Sequence, residues 1–276
     1  MKTDSLSVCV IGAGPSGLVA IKELLDEGHR VTCLEKTDSI GGVFSLSPTK
    51  NGAYDSVELT VSNYYMAFSS MPPLAEDPRR FWTHREYADY IQRFVKTFDL
   101  LQHITFSADV CEVSKREDDK FSVVYTVDGS QETRVFDAVA ICCGAHYTPK
   151  IPEIDGLENF TGEILHSYDY RNAEPFRGRQ VVCVGMGETA ADVVHEVAGV
   201  AKSCTLSIRQ YPAVVPKYLG ENGEHTSDSY TSRAMYSIPR DAIDRRALKQ
   251  ARHLLKEINA MDESEHDPIY RLICEW

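Results

Sequence analysis

The chain has 276 residues, 43% of them hydrophobic and 25% charged, and carries a formal charge of −12. That length allows about two ordinary domains, and the acidity disfavours nucleic acid and anionic membranes, which need clustered Lys and Arg. No apolar run approaches the roughly 20 residues of a membrane helix. Met1-Lys2-Thr3-Asp4-Ser5 leads directly into a strand with no signal-peptide hydrophobic region, so a cytoplasmic location is expected.

Leu6 to Ile11 reads as a buried parallel strand. The loop Gly12-Ala13-Gly14-Pro15-Ser16-Gly17 follows at once, then a helix from about Gly17 to Glu27 stopped by Gly28, then a strand from Arg30 to Glu35. Together they form a βαβ unit. Thr83 with Glu86 makes a capping box for a helix to about Phe98, with Tyr87, Ile91, Phe94 and Val95 turned inward. From Ile104 to Ile141 the texture is β, with a hairpin at Asp128-Gly129 and a buried strand from Val135 to Cys142 that ends at Gly144. Pro149, Pro152 and Gly156 break the pattern and mark a domain boundary, giving domains over 1–155 and 156–276. A second βαβ unit follows: strand Gln180 to Val184, helix Thr189 to about Ala198, strand Thr205 to Arg209. A polar loop from Gly220 to Ser232 and a helix from about Arg240 to Ile258 are expected beyond it. The fold class is therefore α/β, with two Rossmann-like dinucleotide-binding domains, the second truncated.

In the first loop Gly12 permits the tight turn, Gly14 lets backbone approach a pyrophosphate, and Gly17 lets helix and strand pack closely. The helix N-terminus offers free N–H groups to phosphate. Glu35, 18 residues after Gly17, stands where a carboxylate accepts ribose hydroxyls. Gly41-Gly42 permits a further close approach, to the same pyrophosphate. The second loop, Gly185-Met186-Gly187-Glu188-Thr189-Ala190, starts 173 residues after the first. Its following strand ends in Arg209 rather than an acid, which suits the 2′-phosphate of NADP, and Lys217 can add a second positive charge. Glu188 sets a carboxylate beside a phosphate site, which is electrostatically unhelpful unless it turns away.

The eight cysteines are expected to be small buried hydrophobes, and no C-x-x-C is present. No metal site and no Ser-His-Asp arrangement has convincing spacing.

Between the loops runs Phe160-x-Gly162-x3-His166-x3-Tyr170. With both glycine loops, Glu35 and Gly41-Gly42, it resembles the flavin-containing monooxygenases. Because Tyr170 is followed by Arg171, it resembles the N- and S-oxygenating branch rather than the Baeyer–Villiger one. The resemblance implies FAD in the first cradle and NADPH in the second. It places cofactor contacts at the two glycine loops, Glu35, Lys36, Gly41, Gly42, Val43, Phe44, Val110, Gly144, Arg209 and Lys217. His166 is implied as a hinge residue that bonds the linker between domains and aids NADP(H) docking.

Leu59 to Phe68 is similar to the family stretch that reaches the flavin ring, which makes Asn63, or Ser62 in the adjacent register, the candidate for steadying the oxygenated flavin. The implied activity is transfer of one oxygen atom of dioxygen, from a flavin C4a-hydroperoxide, to a nitrogen or sulfur nucleophile of a small molecule. Phe44 replaces a Trp common in the family. Family members also continue well beyond this length, which leaves a truncation, a split enzyme completed by a second polypeptide or by self-association, or a shortened flavin-binding form. The split form is preferred. The alternatives are a non-catalytic FAD-binding subunit and an NADPH-dependent reductase, the latter disfavoured by the missing C-x-x-C.

Overall fold

The computed structural model describes residues 5–46, 52–145, 148–209, 217–219, 223 and 225–228. The chain divides into two compact units, Met1–Gln210 and Tyr211–Trp276.

In the first unit, β1 (Ser7–Ile11), α1 (Pro15–Asp26) and β2 (Arg30–Leu34) form the expected βαβ. The helix starts two residues earlier than the sequence suggests, because Pro15 at its first turn is pre-set for helical φ. The short α2 (Asn63–Met66) and the longer α3 (His84–Thr97) come next, followed by β3 (Ile104–Thr105). Three strands then make an antiparallel sheet: β4 (Asp109–Lys115), β5 (Phe121–Val127) and β6 (Ser130–Phe136). The last strand of the parallel sheet is β7 (Ala138–Ile141), and the order is β3-β2-β1-β7.

The β5–β6 hairpin turns on Asp128 and Gly129, both at positive φ, as an Asp-Gly two-residue turn requires. The single strand expected from Val135 to Cys142 is in fact two, interrupted at Asp137. The Asp137 carboxylate accepts from the backbone N and the Oγ of Ser7, at 2.8 and 2.7 Å, and from Lys120 Nζ at 2.9 Å. These bonds divert the chain from the antiparallel sheet into the parallel one.

Both faces of the parallel sheet are covered, so its strands carry no polar alternation. Val10, Cys33 and Ala140 pack with α1 and α3 in an aromatic-rich core that includes Trp82, Tyr87, Tyr90 and Phe94. Cys9, Ile11, Leu34 and Val139 pack instead against Val123, Tyr125 and Phe136 of the antiparallel sheet.

The expected capping box is present: Thr83 Oγ1 accepts from Glu86 N at 3.3 Å, and Glu86 Oε2 accepts from Thr83 N at 2.8 Å. Arg80 also meets Glu86 Oε1 at 2.8 Å. The Arg80 bond, with the Thr83 donors, draws the Glu86 carboxyl from its usual 4.5 down to about 2. A depressed carboxylate stabilises the fold above its unfolded value and loses that contribution as pH falls through the folded one. The thermal midpoint of the wild type is therefore expected to fall between pH 4.5 and 2 more steeply than that of Glu86→Gln, and parallel profiles would contradict this.

The second βαβ unit comprises β8 (Gln180–Val184), α4 (Glu188–Val200) and β9 (Ser203–Ser207). β9 lies two residues earlier than expected, and α4 extends one residue earlier and two later. Among the described residues β8 pairs only with β9. Val181 and Cys204 face α4, while Val182 and Val184 on the opposite face are 64% and 65% exposed. The cysteine expectation is corrected: of the seven described, only Cys9 and Cys33, in the doubly covered sheet, are buried, and Cys183 and Cys204 of this open sheet are half-buried.

In the second unit β10 (Tyr218–Leu219) pairs with β11 (His225–Thr226), so part of the expected polar loop is a strand pair. The helix expected from Arg240 to Ile258 lies outside the described residues. Among the described residues no helix is long and apolar enough to cross a membrane, and no group of three His, Cys, Asp or Glu is placed to hold a metal.

Candidate functional site

The first glycine loop is shaped by contacts that exclude side chains. Gly12 has φ +101°, and a Cβ there would lie 2.6 Å from the Cys142 carbonyl oxygen. A Cβ on Gly17 would lie 1.8 Å from the Gly12 carbonyl oxygen, so helix and loop meet only because position 17 is glycine. Gly14 has ordinary φ and caps α1 with no side-chain bond. The first-turn N–H groups of Ser16 and Gly17 therefore have no side-chain cap.

Gly41 and Gly42 fold over this turn. Gly41 N donates to Ala13 O at 3.0 Å, and a Cβ on Gly42 would come within 3.1 Å of Gly14 Cα. The result is a backbone-lined cradle at a helix N-terminus, the geometry that receives a phosphate.

Glu35 is 6% exposed and bound into the same loop. Its Oε2 accepts from Ala13 N at 2.7 Å; its Oε1 accepts from Thr37 N at 2.9 Å and Thr37 Oγ1 at 2.6 Å. Oε2 keeps acceptor capacity. Sequence reasoning placed Glu35 here but missed Thr37, for which no spacing rule exists.

The other residues assigned from sequence lie in several places. Val43 and Phe44 form a short 3-10 turn with Gly42, and Phe44 packs edge-on to Tyr87 at 4.8 Å. Lys36 pairs with Asp109 at 3.0 Å on the surface. Val110 packs against the second core, on the antiparallel sheet. Gly144 follows β7 at φ +75° with open space around it.

Ser62 and Asn63 are fully buried at the start of α2. Asn63 Nδ2 donates to Pro78 O at 3.0 Å and its Oδ1 accepts from Arg80 N at 3.1 Å, leaving one amide hydrogen. Met66, at the end of α2, and the Ala67 and Phe68 that follow it pack on the same core as Ala13 and Ile40 of the first cradle.

His166 caps a 3-10 turn, its Nδ1 accepting from Tyr168 N at 3.1 Å. Tyr170 is nearly fully buried and its phenol donates to Glu196 at 2.5 Å. Burial, then the Glu196 bond, raises the Tyr170 phenol pKa.

The second loop repeats the first turn: Gly185 has φ +102° and donates its N–H to Ser207 O at 2.9 Å, as Gly12 does to Leu34 O. Gly187 caps α4 with no side-chain bond, and Glu188, Thr189 and Ala190 form the helix's first turn. Nothing lies within 4 Å of a Cβ on Gly185 or Gly187, so this cradle is open where the first is closed by Gly42. Arg209 is exposed just beyond β9. Lys217 stands in the second unit, where its carbonyl accepts from Ser227 N.

Two strand–glycine-loop–helix–strand units, each with an uncapped helix N-terminus, define an α/β protein built to hold anionic cofactors by backbone. The chain belongs to the flavin-binding monooxygenase-like family, whose profile matches residues 5–264. It is 42% identical to a 4-hydroxybenzoate brominase (decarboxylating) of Pseudoalteromonas luteoviolacea over 237 residues, 84% of this chain and 45% of that protein. It is 38% identical to dimethylaniline monooxygenase [N-oxide-forming] 4 of Homo sapiens over 212 residues, 73% of this chain and 38% of that protein. Among solved structures it is similar to the S-allyl-L-cysteine S-oxygenase of Allium sativum, with a TM-score of 0.70, 28% identity, and coverage of 82% of this chain and 56% of that one. The chain thus spans less than half the length of these curated relatives.

Proposed function

We propose that this chain carries the FAD and NADPH cradles of a flavin-dependent monooxygenase that transfers one oxygen atom from dioxygen to a soft nucleophile of a small molecule. The observation that carries this is the first cradle, where Gly12, Gly14, Gly17 and Gly42 meet backbone to backbone beside the buried Glu35. FAD fits this donor set: the Ser16 and Gly17 N–H groups would hold its pyrophosphate, and Glu35 Oε2 a ribose hydroxyl. When bound and reduced by NADPH, the flavin supplies the activation of dioxygen.

The chain's own residues bind, orient and shield. Phe44 and the buried Ser62–Asn63 pair exclude water beside the cradle, and the remaining Asn63 amide hydrogen is the group we assign to steady the flavin side of the reaction, with Ser62 alongside it. The N-oxygenating and S-oxygenating relatives support nitrogen or sulfur as the acceptor. The brominase relatives favour a second reading, a halide ion as the soft nucleophile. Turnover assays with a tertiary amine, with a thioether, and with bromide plus a phenol under one set of conditions separate these: an N-oxide or sulfoxide supports the first reading and a brominated phenol the second.

We assign NADPH to the second cradle, with Arg209 at the 2′-phosphate and domains meeting near residue 155. Arg209→Ala is expected to weaken NADPH binding roughly ten- to hundredfold, the worth of a charge-assisted bond, and to leave NADH nearly unchanged. Equal weakening of both, measured by KM and by direct titration, would refute the role. Glu188, exposed on the first turn of α4, opposes the same phosphates. Glu188→Gln is expected to tighten NADP+ binding severalfold while slightly lowering the thermal midpoint, because a carboxylate at a helix N-terminus is worth about 0.3–1 kcal/mol. Unchanged affinity would mean that the carboxylate faces away.

We assign the exposed Val182 and Val184 face to cover by a second polypeptide or by self-association. Light scattering of the chain alone and with the C-terminal part of a relative tests it.

A further inference from the structure

We infer that the two cradles are energetically coupled through Tyr54 and the acidic face of α4, so that filling the first raises the affinity of the second. This rests on the proposal above that each cradle holds a dinucleotide.

A continuous set of short contacts joins them. Gly42 lies against Gly14 in the first cradle. The next residue, Val43, accepts at its carbonyl from Ala53 N at 2.9 Å, and a Cβ on Gly52 would stand 2.7 Å from the same oxygen. The segment at 52–53 is thus pressed on the phosphate turn with no room to slide. Tyr54 follows, 8% exposed, and its phenol donates to Asp192, one turn into α4 from Glu188. Ser56 Oγ donates to Glu196 one turn further, and Glu196 also accepts the Tyr170 phenol. The helix whose N-terminus forms the second cradle is therefore fastened at successive turns to a segment fastened to the first.

The chemistry of these fasteners makes them sensitive to position. Asp192 and Glu196 are an i,i+4 like-charge pair, which is unfavourable by itself. Here they flank Val193 and Val197, Asp192 exposed and Glu196 half-buried, and the hydroxyl donors of Tyr54, Ser56 and Tyr170 offset part of that repulsion. Charge-assisted hydroxyl–carboxylate bonds are short and directional, so a small shift of the Gly42 turn changes how α4 is held. Tyr54 stays protonated as the donor, because burial and the Asp192 bond both raise its pKa. No spacing rule in the sequence pairs residue 54 with residue 192. The only hint is two acids placed on the apolar side of a helix. Tyr54 is thus a positioning residue.

The test is a thermodynamic cycle on the full chain: NADP+ is titrated with and without FAD, and FAD with and without NADP+. The expected coupling in the wild type is about tenfold, within the usual range for linked sites, and must be equal in both directions by linkage. Tyr54→Phe and Asp192→Asn are each expected to reduce it to near one, and the double variant to do no more than either alone. A purely structural role would lower the thermal midpoint without removing the reciprocal factor. Should Tyr54→Phe fail to fold, Ser56→Ala weakens the second fastener and is expected to reduce the same factor. Wild-type protein that binds both nucleotides with a factor of one, or variants that keep the full factor, would overturn the coupling alone. Failure of either nucleotide to bind would remove the two-cradle assignment and the coupling with it.

Discussion

Gly17→Ala is expected to abolish FAD binding and to destabilise the first domain by several kcal/mol. The added Cβ would stand 1.8 Å from the Gly12 carbonyl oxygen and 2.9 Å from its carbon. Those atoms are backbone, so relief requires moving either α1 or the turn. The turn cannot move freely, because Gly12 N is bonded to Leu34 O and its own φ is +101°. Ordinary overpacking costs about 1–3 kcal/mol, and a backbone collision with no flexible neighbour falls at or above that upper end. Gly14→Ala separates folding from binding. Its Cβ would meet Gly42 Cα at 3.5 Å, an ordinary contact, and its φ is already favourable. The protein should fold with a nearly unchanged thermal midpoint and yet fail to retain flavin, because the methyl occupies the side where backbone must approach a pyrophosphate. Retention of FAD by Gly14→Ala would remove the cradle from the site.

Tyr90→Phe should cost about 2–4 kcal/mol, a large effect for the loss of one oxygen atom. The Tyr90 hydroxyl accepts from Phe68 N at 2.7 Å and donates to Met71 O at 2.8 Å, while its ring packs against those of Trp82 and Tyr87 in the first core. Removing it leaves a backbone N–H and a carbonyl without their partner, at roughly 1–3 kcal/mol each where no water replaces it. The loosened segment is the one that follows α2. The variant is therefore expected to lose coupling between NADPH consumption and product formation as well as stability, since α2 carries Asn63. Urea unfolding gives the first quantity and the ratio of product to NADPH the second. A change below about 0.5 kcal/mol, the ordinary range for a surface substitution, would show that the hydroxyl bridge is unimportant.

Local rules carried much of the fold. The first βαβ unit, the capping box at Thr83 and Glu86, the Asp128-Gly129 hairpin and the second βαβ unit each depend on residues close in sequence, and each is present. What was not legible depends on long-range contacts. The break at Asp137 is set by Ser7, 130 residues away. The burial of cysteines depends on whether both faces of a sheet are covered, which a strand's own sequence does not state. At the site, the glycines and Glu35 were readable because backbone approach leaves a fixed spacing. The commitments of Asn63 to Pro78 and Arg80, and of Tyr54 to Asp192, have none.

The most direct measurement of the central claim is anaerobic mixing of the FAD-loaded chain with NADPH, followed at the flavin absorbance. If the two cradles present their nucleotides to one another, the yellow colour bleaches in a single NADPH-dependent phase that NADH reproduces only weakly. A chain that holds flavin but stays yellow with excess NADPH, or that holds no flavin at all, would contradict the account.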